Sequence, residues 1–214
     1  MLNIYSQQEA HILDEGFNAI MRTGVKSFTV ESLAARLGMS KKTIYKYFPS
    51  KENLVRKIAM FMTSQVEQMF NRIRENEKNP TLQFIKVMEH IAKFASRAPV
   101  QRMAQLKIAY PEVWKDIERF RLKRQDDFYQ ILKSAQEQGL ARKDLDMKKV
   151  ATVFINMVNN TFQPEFFLAN NLAVGETING FVTIISRGLF NRKGMEAINK
   201  YQGRKKNYNE RTLY

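Results

Sequence analysis

Apolar residues recur every three to four positions along almost the whole chain, and this pattern restricts the fold more than any other feature. Leu13, Phe17, Ile20 and Met21 show it first, Val30, Leu33, Ala34 and Leu37 next, and Leu54, Ile58, Phe61, Met62, Val66 and Phe70 after them. Alternating runs closed by tight turns, which a sheet would need, do not occur, so the spacing predicts an all-α protein. Pro80, Pro99, Pro111 and Pro164 stand where helices should begin or end. Helices are therefore expected near 6–23, 30–37, 41–47, 51–75, 81–96, 99–109, 111–138, 147–162 and 174–190, with a short turn of helix within 164–172. Thr29, Ser40, Ser50 and Asp146 read as N-caps, and Gly24 and Gly38 as stops.

With 214 residues, 44% of them hydrophobic and 26% charged, the chain can bury a real core and is not a disordered segment. Its net charge of +14 points to a polyanionic partner. The excess gathers at the ends: residues 1–57 carry nine Lys/Arg against five Asp/Glu, and 191–214 seven against two. Basic surface also serves solubility and anionic membranes, so charge alone leaves the partner open. The absence of Cys excludes disulfides, thiolate zinc sites and thiol catalysis. No apolar run suits a signal peptide or a membrane span, which makes a cytoplasmic protein the expectation.

Nothing in the sequence suggests an enzyme. His11 and His90 are the only histidines, and no phosphate-binding glycine loop or paired-histidine zinc motif occurs. Glu89 with His90, Asp126 with Asp127 and Asp144 with Asp146 read as charged helix faces and an N-cap, so neither a metal nor a cofactor is expected.

Two short helices joined by Leu37-Gly38-Met39-Ser40 form a helix-turn-helix pattern, in which the second helix is offered to the major groove. At two turns that helix cannot stand alone in water and must be held by packing. Ile44 and Phe48 serve as anchors, which leaves Lys41, Lys42, Thr43, Tyr45, Lys46 and Tyr47 outside, a mixture of charge, hydroxyls and aromatics suited to phosphates and base edges.

The series Phe28-Thr29-Val30-Glu31-Ser32-Leu33-Ala34, then Gly38 to Phe48, then Ser50-Lys51-Glu52-Asn53-Leu54, resembles a TetR-family DNA-binding domain without a gap from Ile12 to Ile58. The resemblance implies that Lys41, Lys42 and Thr43 meet base edges, with lysine favouring guanine. It implies that Thr29, Ser40, Tyr45, Tyr47 and Lys51 hold phosphates and fix orientation. Lys46 fits either group. Thr29 and Ser40 also cap helices, and Tyr45 and Tyr47 are equally suited to packing against the core. Many relatives have His where this chain has Tyr47, which donates a hydrogen bond but carries no positive charge.

The same resemblance, less specific beyond Ile58, implies a homodimer paired through its last two large helices and an effector pocket in each subunit. Val150, Val153, Phe154, Met157 and Val158, and then Val174, Ile178, Phe181, Val182, Ile185 and Leu189, supply two apolar stripes that fit a dimer face or ordinary core. Tyr110, Trp114, Phe154 and Met157 are the first candidates to line an apolar pocket, although aromatic stripes also make filled core.

The expected organisation is a DNA-binding domain over 1–50, a ligand-binding and dimerisation domain over 51–190, and a solvated basic tail over 191–214. The expected function is a DNA-binding repressor released from its operator by an apolar or amphipathic small molecule. The alternative is a TetR-fold DNA-binding protein governed by a protein partner without such a ligand.

Overall fold

The computed structural model describes residues 5–211, with side chains through Lys205. Among the described residues there are eleven helices and no strand apart from one isolated bridge between Ala141 and Phe190. The helices are α1 (Gln7–Thr23), α2 (Val30–Leu37), α3 (Lys41–Tyr47), α4 (Lys51–Asn76), α5 (Pro80–Ser96), α6 (Val100–Ala109), α7 (Pro111–Glu137), α8 (Met147–Thr161), α9 (Pro164–Ala169), α10 (Val174–Leu189) and α11 (Arg192–Arg211). The all-helical class is as expected, and the first ten helices lie close to the expected segments.

Side-chain caps explain where several of them begin. Ser6 and Glu9 form a reciprocal capping box at α1, Glu9 accepting from the Ser6 N–H at 2.8 Å and Ser6 from the Glu9 N–H at 3.2 Å. Thr29, Ser40 and Ser50 accept from Ser32, Thr43 and Asn53 N–H groups at 3.1, 3.0 and 3.0 Å, and Asp146 accepts from Lys148 and Lys149. Each such cap stabilises its helix by about 1 kcal/mol.

The chain divides into two compact units. The first takes the residues up to Glu67, then Arg97–Phe120 and Pro164–Asn170. Its core joins Ile12, Leu13 and Phe17 of α1 to Leu33 of α2, Ile44 of α3, Leu54 and Ile58 of α4, Leu106 and Trp114. Trp114 is buried in that core, its Nε1–H donates to Glu118 at 2.9 Å, and the Lys107 ammonium lies 5.7 Å from its ring centroid.

The second unit takes Gln68–Ser96, Arg121–Gln163 and the residues from Asn171 on. Here α5 is flanked by α10 and α11. Phe84 meets Phe128 at 5.6 Å and Phe190 at 5.3 Å, while Phe154 stacks on Phe128 at 4.2 Å and on Phe181 at 5.8 Å between ring centroids. Offset and edge-on rings of this kind add to the burial of their area.

The segment after Asn191 corrects the expectation of a solvated tail, because Arg192–Arg211 form a helix packed along α5. Asn191 starts it: its N–H donates to Leu140 O at 3.1 Å, and its Oδ1 accepts from the Gly194 N–H at 3.2 Å. Gly194 passes so close to the Leu140 carbonyl that a Cβ would collide with it. Ile198 is buried, Tyr201 O–H donates to Glu89 Oε2 at 3.1 Å, and Lys205 Nζ donates to the same oxygen at 2.7 Å. Ile198 is the buried apolar residue of a helix whose charges dominate its composition, with Met195 and Tyr201 half-buried on either side of it.

Candidate nucleic-acid interface

Helix α2 ends at Gly38, whose φ of 63° places it in the left-handed region, where L side chains are strained and glycine is not. The chain reverses there, with the Met39 N–H donating to Ala34 O at 2.9 Å, and Ser40 starts α3. Ile44 is fully buried and Phe48 nearly so, which fixes the rotation of this seven-residue helix. Lys41, Lys42, Lys46 and Tyr47 are left exposed, and Thr43 and Tyr45 half-buried.

The polar groups of this face are already organised. Ser40 Oγ and Thr43 Oγ1 are hydrogen-bonded at 2.8 Å. Lys41 Nζ forms an ion pair with Glu31 on α2 and lies 5.6 Å from the Tyr45 ring centroid. Hydrogen bonding and charge from Glu31 raise the Lys41 pKa, and the hydrogen bond and charge from Lys41 lower that of Glu31. Tyr47 O–H donates to Gln8 Oε1 on α1 at 2.6 Å. Lys51, at the start of α4, lies 5.9 Å from the Phe28 ring centroid. Among the described residues, Lys42 and Lys46 have no ion pair.

Thr29, Ser40, Lys41, Lys42, Thr43, Tyr45, Lys46, Tyr47 and Lys51 thus all belong to the first unit, on α3 or at the starts of α2, α3 and α4. Glu31 and Gln8 were not expected beside them. No periodicity links Gln8 to Tyr47, 39 positions away. A lone acid in a basic stretch could have drawn attention to Glu31: between Glu15 and Glu52 it is the only acidic residue, against seven Lys/Arg.

The four pocket candidates divide between the units. Tyr110 and Trp114 belong to the first, where Tyr110 follows α6 and is half-buried. Phe154, between two stacked rings, and the half-buried Met157 belong to the second. Asn159, also on α8, was not singled out from the sequence. It is buried, and among the described residues its Oδ1 has no hydrogen-bond partner.

Among the described residues no group of three or more His, Asp or Glu side chains could hold a metal ion, and no helix is long and apolar enough to cross a membrane. Asp127 faces Arg124 at 3.1 Å and Arg74 at 3.6 Å, and Asp144 pairs with Arg142. A capped, rigidly anchored short helix that turns lysines and hydroxyls outward defines a helix-turn-helix DNA-binding protein.

Comparison with known proteins gives the family. Residues 12–58 match the model of the bacterial regulatory proteins of the tetR family. The chain is 26% identical over 182 residues to YvaF, an uncharacterised HTH-type transcriptional regulator of Bacillus subtilis, covering 85% of this chain and 95% of that protein. Its fold is similar to that of a TetR-family transcriptional regulator from Agrobacterium tumefaciens, with a TM-score of 0.65 and 19% identity over 86% of this chain and 99% of the other. It is also similar in fold to a transcriptional regulator from Saccharomonospora viridis solved in complex with choline, with a TM-score of 0.64 and 14% identity over 88% of this chain and all of that one. Residues 12–58 thus carry a DNA-binding domain of the tetR family, and the chain is similar over most of its length to an HTH-type transcriptional regulator.

Proposed function

We propose that the protein is a sequence-specific repressor that binds operator DNA as a homodimer in the cytoplasm and is released by a small-molecule effector. The observation that carries this reading is the burial of Ile44 and Phe48, which turns the lysines of α3 outward. Lys41, Lys42 and Thr43 read base edges, while Thr29, Ser40, Tyr45, Tyr47 and Lys51 hold phosphates and Lys46 serves either role. Two copies supply two half-sites one helical turn, or a multiple of it, apart. Residues 1–50 act as the DNA-binding domain and 51–190 as the ligand-binding and dimerisation domain.

Dimerisation is supported by Val153 on α8 and Ile184 on α10, large apolar residues left 67% and 70% exposed. The effector reading is supported by the aromatic cluster at Phe154 and by the buried Asn159, whose free acceptor suits a donor on an otherwise apolar ligand. The neighbour in complex with choline has the same fold and binds a small molecule. Met157, on the same helix, completes this set in the second unit, and Tyr110 and Trp114 are candidates of the first unit taken by itself. An effector that binds the DNA-free pose a hundredfold better than the bound one weakens operator binding by that factor, or about 2.7 kcal/mol.

A second reading, control by a protein partner without a small molecule, is favoured by Ile108 on α6 and Leu168 on α9, exposed by 74% and 44% in the first unit.

The test is equilibrium binding to the DNA upstream of the protein's own gene, measured by mobility shift over a range of salt. The wild type is expected to bind tightly and to weaken steeply with salt, and a K42A/Y45A variant to lose about a hundredfold or more in affinity. Equal, weak binding of both proteins to every sequence would refute the assignment of α3.

A further inference from the structure

We propose that Glu31 is a specificity-determining residue, which cancels the charge of Lys41 toward DNA phosphates while leaving its donors available to a base edge. This inference rests on the reading that α3 enters the major groove.

Phosphate binding and base reading ask different things of a lysine. A phosphate attracts the ammonium by charge, at long range and on any sequence. A guanine edge presents two fixed acceptors, O6 and N7, and needs donors in place. Lys41 has three N–H donors. With one on Glu31 Oε1, two remain, and the side chain is further located by the Tyr45 ring 5.6 Å from Nζ. The pair has almost no net charge to offer a phosphate, yet it keeps the two donors that guanine accepts.

Electrostatics on the two helices agree. Both partners are about half exposed, at 50% for Lys41 and 59% for Glu31, so the pair lies on the open face of the motif. The raised pKa of Lys41 and the lowered pKa of Glu31 keep both groups ionised across the neutral range. To give Lys41 to a phosphate, the protein must leave the Glu31 carboxylate unpaired beside a polyanion, a like-charge contact that opposes association. Lys42 and Lys46 carry no such restraint. The face therefore holds two kinds of lysine: Lys42 and Lys46, whose charge is free to meet a phosphate as well as a base edge, and Lys41, which contributes only where the sequence offers acceptors. Glu31 acts through Lys41 and is a positioning residue.

Glu31→Gln tests the charge alone, since the amide oxygen still accepts from Lys41. Binding of the full chain to its own upstream DNA and to a scrambled duplex of equal length would be followed by fluorescence anisotropy over a range of salt. The E31Q variant is expected to bind the scrambled duplex about three- to tenfold more tightly, with a log–log salt slope steeper by about 0.9. Operator affinity rises less, so the ratio of operator to scrambled affinity falls by nearly the same factor.

Two further comparisons make the effect specific to the pair. Glu15→Gln removes the same charge from the Glu15–Arg36 pair, 2.9 Å long, in the same unit and should leave the ratio unchanged. In a Lys41→Gln background, E31Q should no longer alter the ratio. An unchanged ratio and slope in E31Q, an equal fall in E15Q, or an effect that persists without Lys41 would each overturn the proposal. Thermal melting of each variant checks that it is folded. Should K42A/Y45A keep full operator binding, α3 itself has been misassigned, an outcome distinct from failure of Glu31 alone.

Discussion

The helix-turn-helix and the aromatic region of the second unit bury apolar helix faces by different means. In α1–α3 each helix starts at a side-chain cap, and one continuous core runs from Ile12 through Leu33 and Ile44 to Leu54. The outer face of α3 carries lysines and hydroxyls beside Tyr45 and Tyr47. Around α5, α8 and α10, Phe84, Phe128, Phe154 and Phe181 meet ring to ring beside buried aliphatic residues such as Ile85, Ile155 and Val182, the buried Asn159 Oδ1 is unsatisfied among the described residues, and Val153 and Ile184 remain outside. Under the proposed function, the contrast follows from what each region meets. A double helix has one shape and one charge, and a surface that fits it can be rigid and complete. A surface that meets a second copy of the chain or a ligand has apolar area still to cover.

That contrast can be broken by cutting equal volumes from the two cores. Phe28→Ala, in the filled first core, should cost about 3–5 kcal/mol in chemical denaturation. Phe154→Ala should cost at least about 1 kcal/mol less if its ring lines a space that a ligand fills, because less surrounding contact is lost. Equal losses would make Phe154 ordinary filler and remove it from the pocket.

Ile184→Glu should leave the protomer folded, since substitutions at exposed sites usually shift stability by less than about 0.5 kcal/mol. It should nevertheless convert a dimer to a monomer in sedimentation and weaken operator binding by about tenfold or more, or about 1.4 kcal/mol. An unchanged sedimentation coefficient would place the dimer face elsewhere.

Caps give a smaller effect. Thr29→Ala should cost about 1 kcal/mol of stability through α2, together with a loss of DNA affinity if the hydroxyl also holds a phosphate. Loss of stability with unaltered DNA affinity would leave Thr29 as a cap alone.

The smallest effect lies in the second unit at alkaline pH. Burial first, and the Glu89 carboxylate second, push the Tyr201 pKa up to about 12, above its ordinary value near 10. Its contribution to stability is complete below about pH 10 and is lost as pH rises toward about 12. Urea midpoints should therefore fall across that interval, and Tyr201→Phe should flatten the fall. An equally steep fall in the variant would assign the alkaline loss to other groups.

What could be read from the sequence divides along the same line. The rotation of α3 followed from Ile44 and Phe48, and its start from Ser40, because caps and periodicity act within a few residues. The Glu31–Lys41 pair lies across the turn, and Gln8 meets Tyr47 only through tertiary packing, so local spacing does not contain either contact. Helix α11 was missed because its charges outweigh Met195, Ile198 and Tyr201, whose docking depends on α5. Aromatic residues marked Trp114 and Phe154 as buried, but composition does not distinguish a filled core from one shaped around a ligand.

The central claim is that α3 reads DNA in the major groove, and methylation interference on the upstream DNA tests it most directly. Guanine N7 faces the major groove and adenine N3 the minor groove. The expected result is loss of binding on N7 methylation at guanines in two patches one helical turn, or a multiple of it, apart, with little effect of N3 methylation. Binding indifferent to N7 methylation, or blocked chiefly at N3, would contradict it.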